Sequence, residues 1–435
     1  MSLFLFAFFS LAGDQLWIGA YNSDSIARHD ATSGAYVASF AAGGQDGVLG
    51  IDIGPDGALY VASELSDTVE RFDAFTGAHL STFLWDDPAT PFDELGGLDE
   101  PCGLLFGPED QLFVTSFVQD AIYEFDARSG AFRRILVTAA SGNLNGPDAG
   151  IAIGPDGALY VPSYWNNTVK RYDRQSGAYL GNFVVPTGSG LSRPRTIRFP
   201  GDGFAYVASE GNDRVLRVDA FTGVFVNAIV IDDPVTPQDE TGGLDGPTGL
   251  AFGSDGRLYV ASGNNDCVLR YDVPSGAFAG VFVAPGSGGS DFPTSLCFRP
   301  EVRNYGPRTS NSFGRGATLA AHGSSSLAAQ DGTLVLHGAP PGEPVLFFYG
   351  AAPVQIPFGD GNLLVQRAPL RRLELGSADA VGRATHYLDF LAAGSSSLPF
   401  QPGSSRYFQC WMRDPTGPLG SGFNLSTAVE WTFAP

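Results

Sequence analysis

GPDGALYVASELSDTVERFDAFTGAHL (residues 54–80) and GPDGALYVPSYWNNTVKRYDRQSGAYL (residues 154–180) follow one pattern. An apolar run ends in Ser, a short polar turn follows, a second run carries Val, Arg and an aromatic, and D-x-x-S/T-G turns the chain again. The full unit adds P-x-G-L-x-F and recurs six times between Gly13 and Arg299, with junctions at Gly54, Gly107, Gly154, Pro200, Gly253 and Arg299. Each unit of 46 to 53 residues holds four strand-like runs punctuated by Gly, Pro, Asn and Asp. Such a unit buries its faces only against its neighbours, which defines a β-propeller.

Six units predict six blades. In the sixth, Thr248–Phe252 reads as inner strand A, Arg257–Ser262 as B, Val268–Asp272 as C and Ala277–Val283 as D. The first unit has B (Gln15–Ala20), C (Ile26–Asp30) and D (Tyr36–Phe40) but no preceding A. Thr294–Phe298 is expected to supply it, closing the ring through the two ends of the repeat region and removing its exposed sheet edges.

Units two and five carry a shared acidic insert, DDPATPFDELGGLDEP (Asp86–Pro101) and DDPVTPQDETGGLDGP (Asp232–Pro247), offset by 146 residues. A three-unit block is therefore repeated. The 435 residues include 57 Gly and 30 Pro and have room for a second domain. After Pro300 the repeat stops, and short apolar runs (Gly332–Leu336, Val345–Phe348, Leu363–Gln366, Phe408–Met412, Val429–Phe433) separated by Gly, Pro and Ser predict a β-sandwich over 301–435. The fold class is thus all-β, a six-bladed propeller (13–300) followed by a sandwich.

Residues 1–12, MSLFLFAFFSLA, form an apolar run ending in a small-x-small pattern and read as a secretory signal, the other reading being a buried strand. No apolar run is long enough to span a bilayer. Cys102, Cys267, Cys297 and Cys410 are scattered without metal-ligand spacing. The net charge of −21 comes in large part from repeated turn residues. Asp14, Asp56, Asp110, Asp156, Asp202 and Asp255 mark A–B turns, Asp24, Asp67, Asp120, Asp213 and Asp266 mark B–C turns with Asn167 in the remaining unit, and Asp30, Asp73, Asp126, Asp173, Asp219 and Asp272 open the D-x-x-S/T-G turns. Asx side chains bond nearby backbone and tolerate tight turns. A surface this acidic is unsuited to nucleic acid or anionic membranes and leaves cations, neutral glycans and proteins as partners.

At these residues, 13–300 resembles the NHL-repeat and streptogramin-lyase-like propellers, and more loosely the SMP-30-like lactonase propellers. The streptogramin-lyase resemblance implies histidines and a divalent metal at the propeller centre. The propeller here contains only His29 and His79, both at ordinary strand positions. The SMP-30-like resemblance implies Glu, Asn and Asp holding a divalent metal at the channel mouth. The stretches NSFGRGATLAAHGSSS, LFFYGAAPVQIPFGDGNLLV and FQCWMRDPTGPLGSGFNLSTAVEWTF resemble a C-terminal module of secreted planctomycete and myxobacterial proteins, implying a secreted or cell-surface bacterial protein.

Chain direction puts the inserts and the B–C turns on one face. Glu64 and Glu210 directly follow strand B in the two insert-bearing units, where the others have Tyr21, Phe117, Tyr164 and Gly263. Each half therefore offers a candidate calcium site, Glu64 with Asp86, Asp87, Asp93, Glu94 and Asp99, and Glu210 with Asp232, Asp233, Asp239, Glu240 and Asp245. Calcium takes six to eight oxygen ligands, which carboxylates and carbonyls of an acidic Gly/Pro-rich loop can provide. The plainer reading is a pair of solvated loops, because the spacing matches no established calcium loop. Asp52 and Arg198, in one strand-A slot of opposite units, read as ion-pair partners inside the packed sheets.

Asp148 and Arg195 fall at the start of neighbouring strands A, on the face that carries Tyr21, Tyr164 and Trp165. These five residues are candidates for a ligand-binding funnel, since aromatic faces cover apolar sugar surface and charged groups orient hydroxyls. Ordinary rim packing is the alternative. No Ser-His-Asp or Cys-His arrangement and no phosphate-cradling glycine loop is present. The pattern favours a monomeric extracellular binding protein that docks a glycan, peptide or protein, over a metal-dependent lactonase or lyase.

Overall fold

The computed structural model describes residues 15–40, 44–54, 58–74, 76–86, 93–107, 110–232, 239–253, 255–299, 302–305, 310–312, 316–322, 333–366, 368–380, 382–388, 398–401 and 404–433. The expected signal at 1–12, and Asp87 and Asp233 of the inserts, lie outside these residues.

Six antiparallel four-stranded sheets form the propeller. Blade two runs Val48–Ile53, Leu59–Ser63, Thr68–Phe72 and His79–Leu84 from strand A to strand D. Blade five, its counterpart in the repeated block, runs Pro194–Arg198, Phe204–Ser209, Arg214–Asp219 and Phe225–Val230. The ring closes as the repeat implied, with Pro293–Arg299 pairing antiparallel to Gln15–Ala20 and placing Gln15 opposite Arg299 and Trp17 opposite Cys297. Strand ends in blades one and six fall within a residue of those read from the sequence.

Sheet faces alone do not hold a propeller; the blade junctions do. Six buried apolar clusters each join residues of two adjacent blades, including the pair formed by blades six and one. The strand-B aromatic of the repeat is the centre of several. Tyr60 meets Phe83 of its own blade and Phe106 of the next edge to face at 4.9 and 4.8 Å, and Tyr160 and Tyr259 repeat the arrangement. Such pairs contribute about 0.5–1.5 kcal/mol each beyond the area they bury.

Repeated acidic residues have two distinct structural jobs. In D-x-x-S/T-G the aspartate bonds its own turn: Asp30 accepts from the Ser33 N–H and hydroxyl at 2.8 and 2.7 Å, and Gly34 follows at φ 73°. That glycine has no room for a side chain, since a Cβ would sit 2.0 Å from the Phe282 carbonyl oxygen of the neighbouring blade. The B–C turn residues do something the local Asx reading did not anticipate. Asp24, Asp67, Asp120, Asn167, Asp213 and Asp266 accept from the backbone N–H of Gly47, Glu100, Gly146, Arg193, Gly246 and Phe292, each at the approach to strand A of the following blade. Six latches of 2.6–2.8 Å thus tie every blade to the next. All twelve residues have φ between 48° and 70°. That left-handed region favours Gly and tolerates Asp and Asn.

In the C-terminal domain, a sheet ordered Val302–Tyr305, Ala428–Thr432, Ser405–Asp414, Pro344–Gly350, Leu370–Ser377 is joined by Gly422–Leu425, while Thr318–His322, Thr333–His337 and Ala384–Tyr387 form a second sheet. Leu319, Leu334 and Leu336 of the smaller sheet share one core with Phe347, Cys410 and Trp431 of the larger, giving a sandwich.

Candidate functional site

The latches fix which backbone edges surround the channel mouth on the insert-bearing face. Glu64 N–H bonds the Gly47 carbonyl at 3.0 Å in blade two, and Glu210 N–H bonds the Arg193 carbonyl at 3.2 Å in blade five. Both glutamates therefore occupy one structural slot, as do Leu49 and Arg195, Thr294 and Asp148, and Tyr21 and Tyr164.

Blade four departs from the repeat in a way that builds one side of the site. An additional residue between Pro147 and Ala152 leaves its strand A only two residues long. The freed Gly150 pairs instead with Thr196 of blade five, donating to the Arg195 carbonyl at 3.1 Å and accepting from Ile197 N–H at 3.0 Å. A Cβ at Gly150 would lie 2.3 Å from Thr196 Cα, so only glycine permits this approach. The inner strands of two blades are drawn together, and Asp148 reaches Arg195.

Arg195 is the hub. Its Nη1 donates to Asp148 Oδ2 at 2.9 Å, and its Nε and Nη2 donate to Glu210 Oε1 at 3.1 and 2.8 Å. The guanidinium carbon lies 4.7 Å from the centre of the Tyr164 ring, and the Tyr164 hydroxyl donates to Glu210 Oε2 at 2.5 Å. Burial disfavours the charge on Arg195, but the two carboxylates outweigh it and hold the group protonated. Burial pushes the Asp148 carboxyl up while Arg195 pulls it down. Beside this network the Trp165 ring stands 55% exposed, edge-on to Tyr164 at 4.8 Å.

Across the mouth the chemistry changes. Glu64 is half-buried, hydrogen-bonded by the Tyr21 hydroxyl, and receives the Cys102 thiol at 3.7 Å. Burial raises its carboxyl, with further upward pushes from Glu100 and Asp148. Cys102 is fully buried, and burial together with Glu64 and Asp148 keeps its thiol protonated.

Of the predicted residues, the structure brings together Asp148, Tyr164, Trp165, Arg195 and Glu210, and places Tyr21 with Glu64. The insert carboxylates take other partners. Asp86 accepts from Glu94 N–H at 3.3 Å and also shares a side-chain hydrogen bond with Glu94, which raises its carboxyl. Asp93 accepts from Leu95 N–H, Asp239 from the Thr241 N–H and hydroxyl, and Asp245 from Asn264. Asp99 lies against Asp67, and burial followed by that neighbouring charge raises it. Asp232 is exposed, and Glu240 is exposed in the second insert. Among the described residues no group of three or more His, Cys, Asp or Glu is arranged to hold a metal ion.

The channel also holds the charged slot read as an ion pair, with a different outcome. Asp52 accepts from Phe106 N–H at 3.0 Å and Ile53 N–H at 2.8 Å, and Arg198 donates to the carbonyls of Ile197 and Ile151 at 2.9 and 3.3 Å. Each charge is satisfied by backbone and feels the other only at longer range. The two propeller histidines lie away from the mouth network, His29 against the Gly34 carbonyl and His79 on Glu70. Latching by the B–C turns and the left-handed Glu100, Arg193 and Phe292 were missed by sequence reasoning; the repeat of Gly at the equivalent positions of the other half was the available signal.

No protein-family model and no curated protein matches the chain. Among solved structures it is similar to a chain of the nidogen/laminin complex, at 16% identity and a TM-score of 0.48, covering 66% of this chain and 98% of that one. Virginiamycin B lyase from Staphylococcus aureus is similar at 18% identity and a TM-score of 0.40, covering 57% and 73%. A protein of unknown function from Bacteroides caccae is similar at 14% and 0.47, covering 66% and 98%. The sheet topology, six four-stranded antiparallel blades closed by pairing the two ends of the repeat region, defines the class as a β-propeller. No helix among the described residues is long and apolar enough to cross a membrane.

Proposed function

We propose that this is an extracellular or cell-surface binding protein that docks a glycan, peptide or protein on the insert-bearing propeller face, with the sandwich serving as an attachment or spacer module. The observation that carries the reading is the Asp148–Arg195–Glu210–Tyr164 network beneath the exposed Trp165 ring. Its charged groups are held rigidly by one another, and an exposed aromatic beside fixed polar groups is the composition of a recognition surface. Binding of the full-length protein to glycan and peptide arrays, compared with Trp165→Ala, tests it. Loss of the bound signals in the variant is expected; unchanged signals would move docking off this face.

The alternative is a divalent-metal-dependent lactonase or lyase, and the paired calcium sites belong with it. Two like-charge contacts, Asp86 with Glu94 and Asp67 with Asp99, are what a cation would relieve. Calcium at a hundredfold its dissociation constant would add about 2.7 kcal/mol to stability. A calcium-dependent rise in melting midpoint, lost in Glu64→Gln/Glu210→Gln, is the outcome that supports this alternative. Identical midpoints with chelator and calcium count against it.

A further inference from the structure

The two halves of the mouth share a Tyr–Glu pair and differ in what the pair holds. Tyr164 and Glu210 grip a guanidinium supplied by the chain itself: Arg195 lies over the Tyr164 ring, and two of its N–H groups point at Glu210. Tyr21 and Glu64 stand in the same slots, with the tyrosine hydroxyl on the glutamate as in the other half. Here the arginine slot is Leu49 and the aspartate slot is Thr294, whose hydroxyl is spent on the carbonyls of Gly19, Val48 and Leu49. Glu64 is thus a half-buried carboxylate with no cationic partner among the described residues, and Glu100 and Asp148 add to the negative field around it.

We infer that Tyr21 and Glu64 form a receptor for a guanidinium brought by the ligand, an arginine side chain of a peptide or protein that takes the place Arg195 takes in the other half. The inference rests on the binding reading above. A leucine side chain ends where an arginine continues into Nε and the planar group, so residue 49 supplies the apolar stem contact and leaves the charged end to the partner. Guanidinium is favoured over ammonium because its planar fork matches both the carboxylate and the aromatic face, as the occupied half displays.

Isothermal titration of the full-length protein with N-acetyl-arginine methylamide, its neutral citrulline counterpart and the lysine analogue reads this directly. One equivalent of the arginine compound is expected to bind, with the citrulline compound at least tenfold weaker and the lysine compound in between. Glu64→Gln, which keeps shape and removes charge, is expected to weaken the arginine compound at least tenfold. Leu49→Arg, which copies the occupied half, is expected to abolish it by filling the receptor from within. In Arg195→Leu/Asp148→Thr, which copies the open half, the stoichiometry is expected to rise toward two. Absence of binding to the wild-type protein, or equal binding of the arginine and citrulline compounds, overturns the inference, as does retention in a folded Glu64→Gln. Array ligands that depend on Trp165 but are indifferent to Glu64→Gln would leave the binding reading standing and remove the guanidinium receptor alone.

Discussion

Glu64 and Glu210 make the same backbone hydrogen bond in opposite halves of the ring, yet the strand-A slot beside that bond holds Leu49 in one half and Arg195 in the other. Three residues further along the strand, Asp52 stands where the second half has Arg198. Latches, D-x-x-S/T-G turns and inter-blade aromatics recur in both halves, so they specify the scaffold. Apart from the Glu64/Glu210 pair, the charged residues of the channel do not recur, so one half or the other forms its blade without that charge at each of those positions. A duplicated fold of this kind separates what the ring needs from what its mouth can vary, and substituting one half's residues into the other asks which is which.

The largest effect belongs to Arg195→Leu. It strands the buried Asp148 and the partly buried Glu210 without their cation, and breaking a buried ion pair from one side costs about 3–5 kcal/mol. Adding Asp148→Thr completes the copy of the first half and removes the more deeply buried of the stranded charges. The double variant is therefore expected to regain most of the loss, read as denaturant midpoints at a constant slope. Equal destabilisation of single and double variants would mean that the network is not the unit described.

Asp52 gives the next effect and a pH signature. Desolvation pushes its carboxyl up to about 6, against the pull of the Phe106 and Ile53 N–H groups and the distant Arg198. Its folded-state pKa lies above its unfolded value, so between about pH 4 and pH 6 the folded chain holds a proton that the unfolded chain has released. This group's contribution to stability then falls by roughly 3 kcal/mol as pH rises through that window and is level above it. Asp52→Asn should abolish that component, so the stability difference between variant and wild type should change by this amount between pH 4 and pH 7. Parallel pH profiles would show that the carboxylate is better solvated than its burial implies.

Fold and site were unequally legible in the sequence. Blade number, strand order and ring closure follow from the repeat because every unit writes the same turn chemistry, and the closing strand Pro293–Arg299 completes a blade otherwise lacking its first strand. The sandwich repeats nothing, and strands such as Pro353–Phe358 and Leu370–Ser377 escaped a reading based on apolar runs because their exposed positions interrupt the pattern. At the mouth, Glu210 was grouped with the insert acids by its place in the repeat, whereas its partners Arg195, Asp148 and Tyr164 come from two blades. Their meeting depends on the extra residue in blade four and the Gly150–Thr196 bridge, a local shift of strand register that composition does not reveal.

The latches come next in size. Asp67→Ala removes a carboxylate acceptor from the Glu100 N–H and puts a residue with no αL preference at φ 54°. A cost of about 2 kcal/mol is expected from the lost charge-assisted bond and the strain together. Asp213→Ala in the other half is expected to match it, because the Gly246 latch has the same length of 2.8 Å. Asn at position 67 should be nearly neutral, as Asn167 already serves blade four. A large difference between the two alanine variants would break the equivalence of the halves at the scaffold level.

Glu100→Gly has the smallest expected effect and the opposite sign. Glu100 sits at φ 48° where the second half has Gly246, Arg193 at 49° where the first has Gly47, and Phe292 at 56° against Gly146. At three of six latch positions the chain thus keeps a side chain in a conformation that favours glycine, and at each the other half shows that glycine serves. Relief of that strain is worth about 1–2 kcal/mol, and the added freedom of glycine in the unfolded chain takes back about 0.4–1 kcal/mol. A net stabilisation of between about 0 and 1.6 kcal/mol is therefore expected, read as a higher melting midpoint. Strain of this sort collects where a side chain is wanted in a fixed place, and Glu100 contributes to the negative field at Glu64. The same variant should accordingly bind N-acetyl-arginine methylamide more weakly than wild type. A more stable protein with undiminished binding would detach Glu100 from the receptor and leave its left-handed backbone without a functional reason.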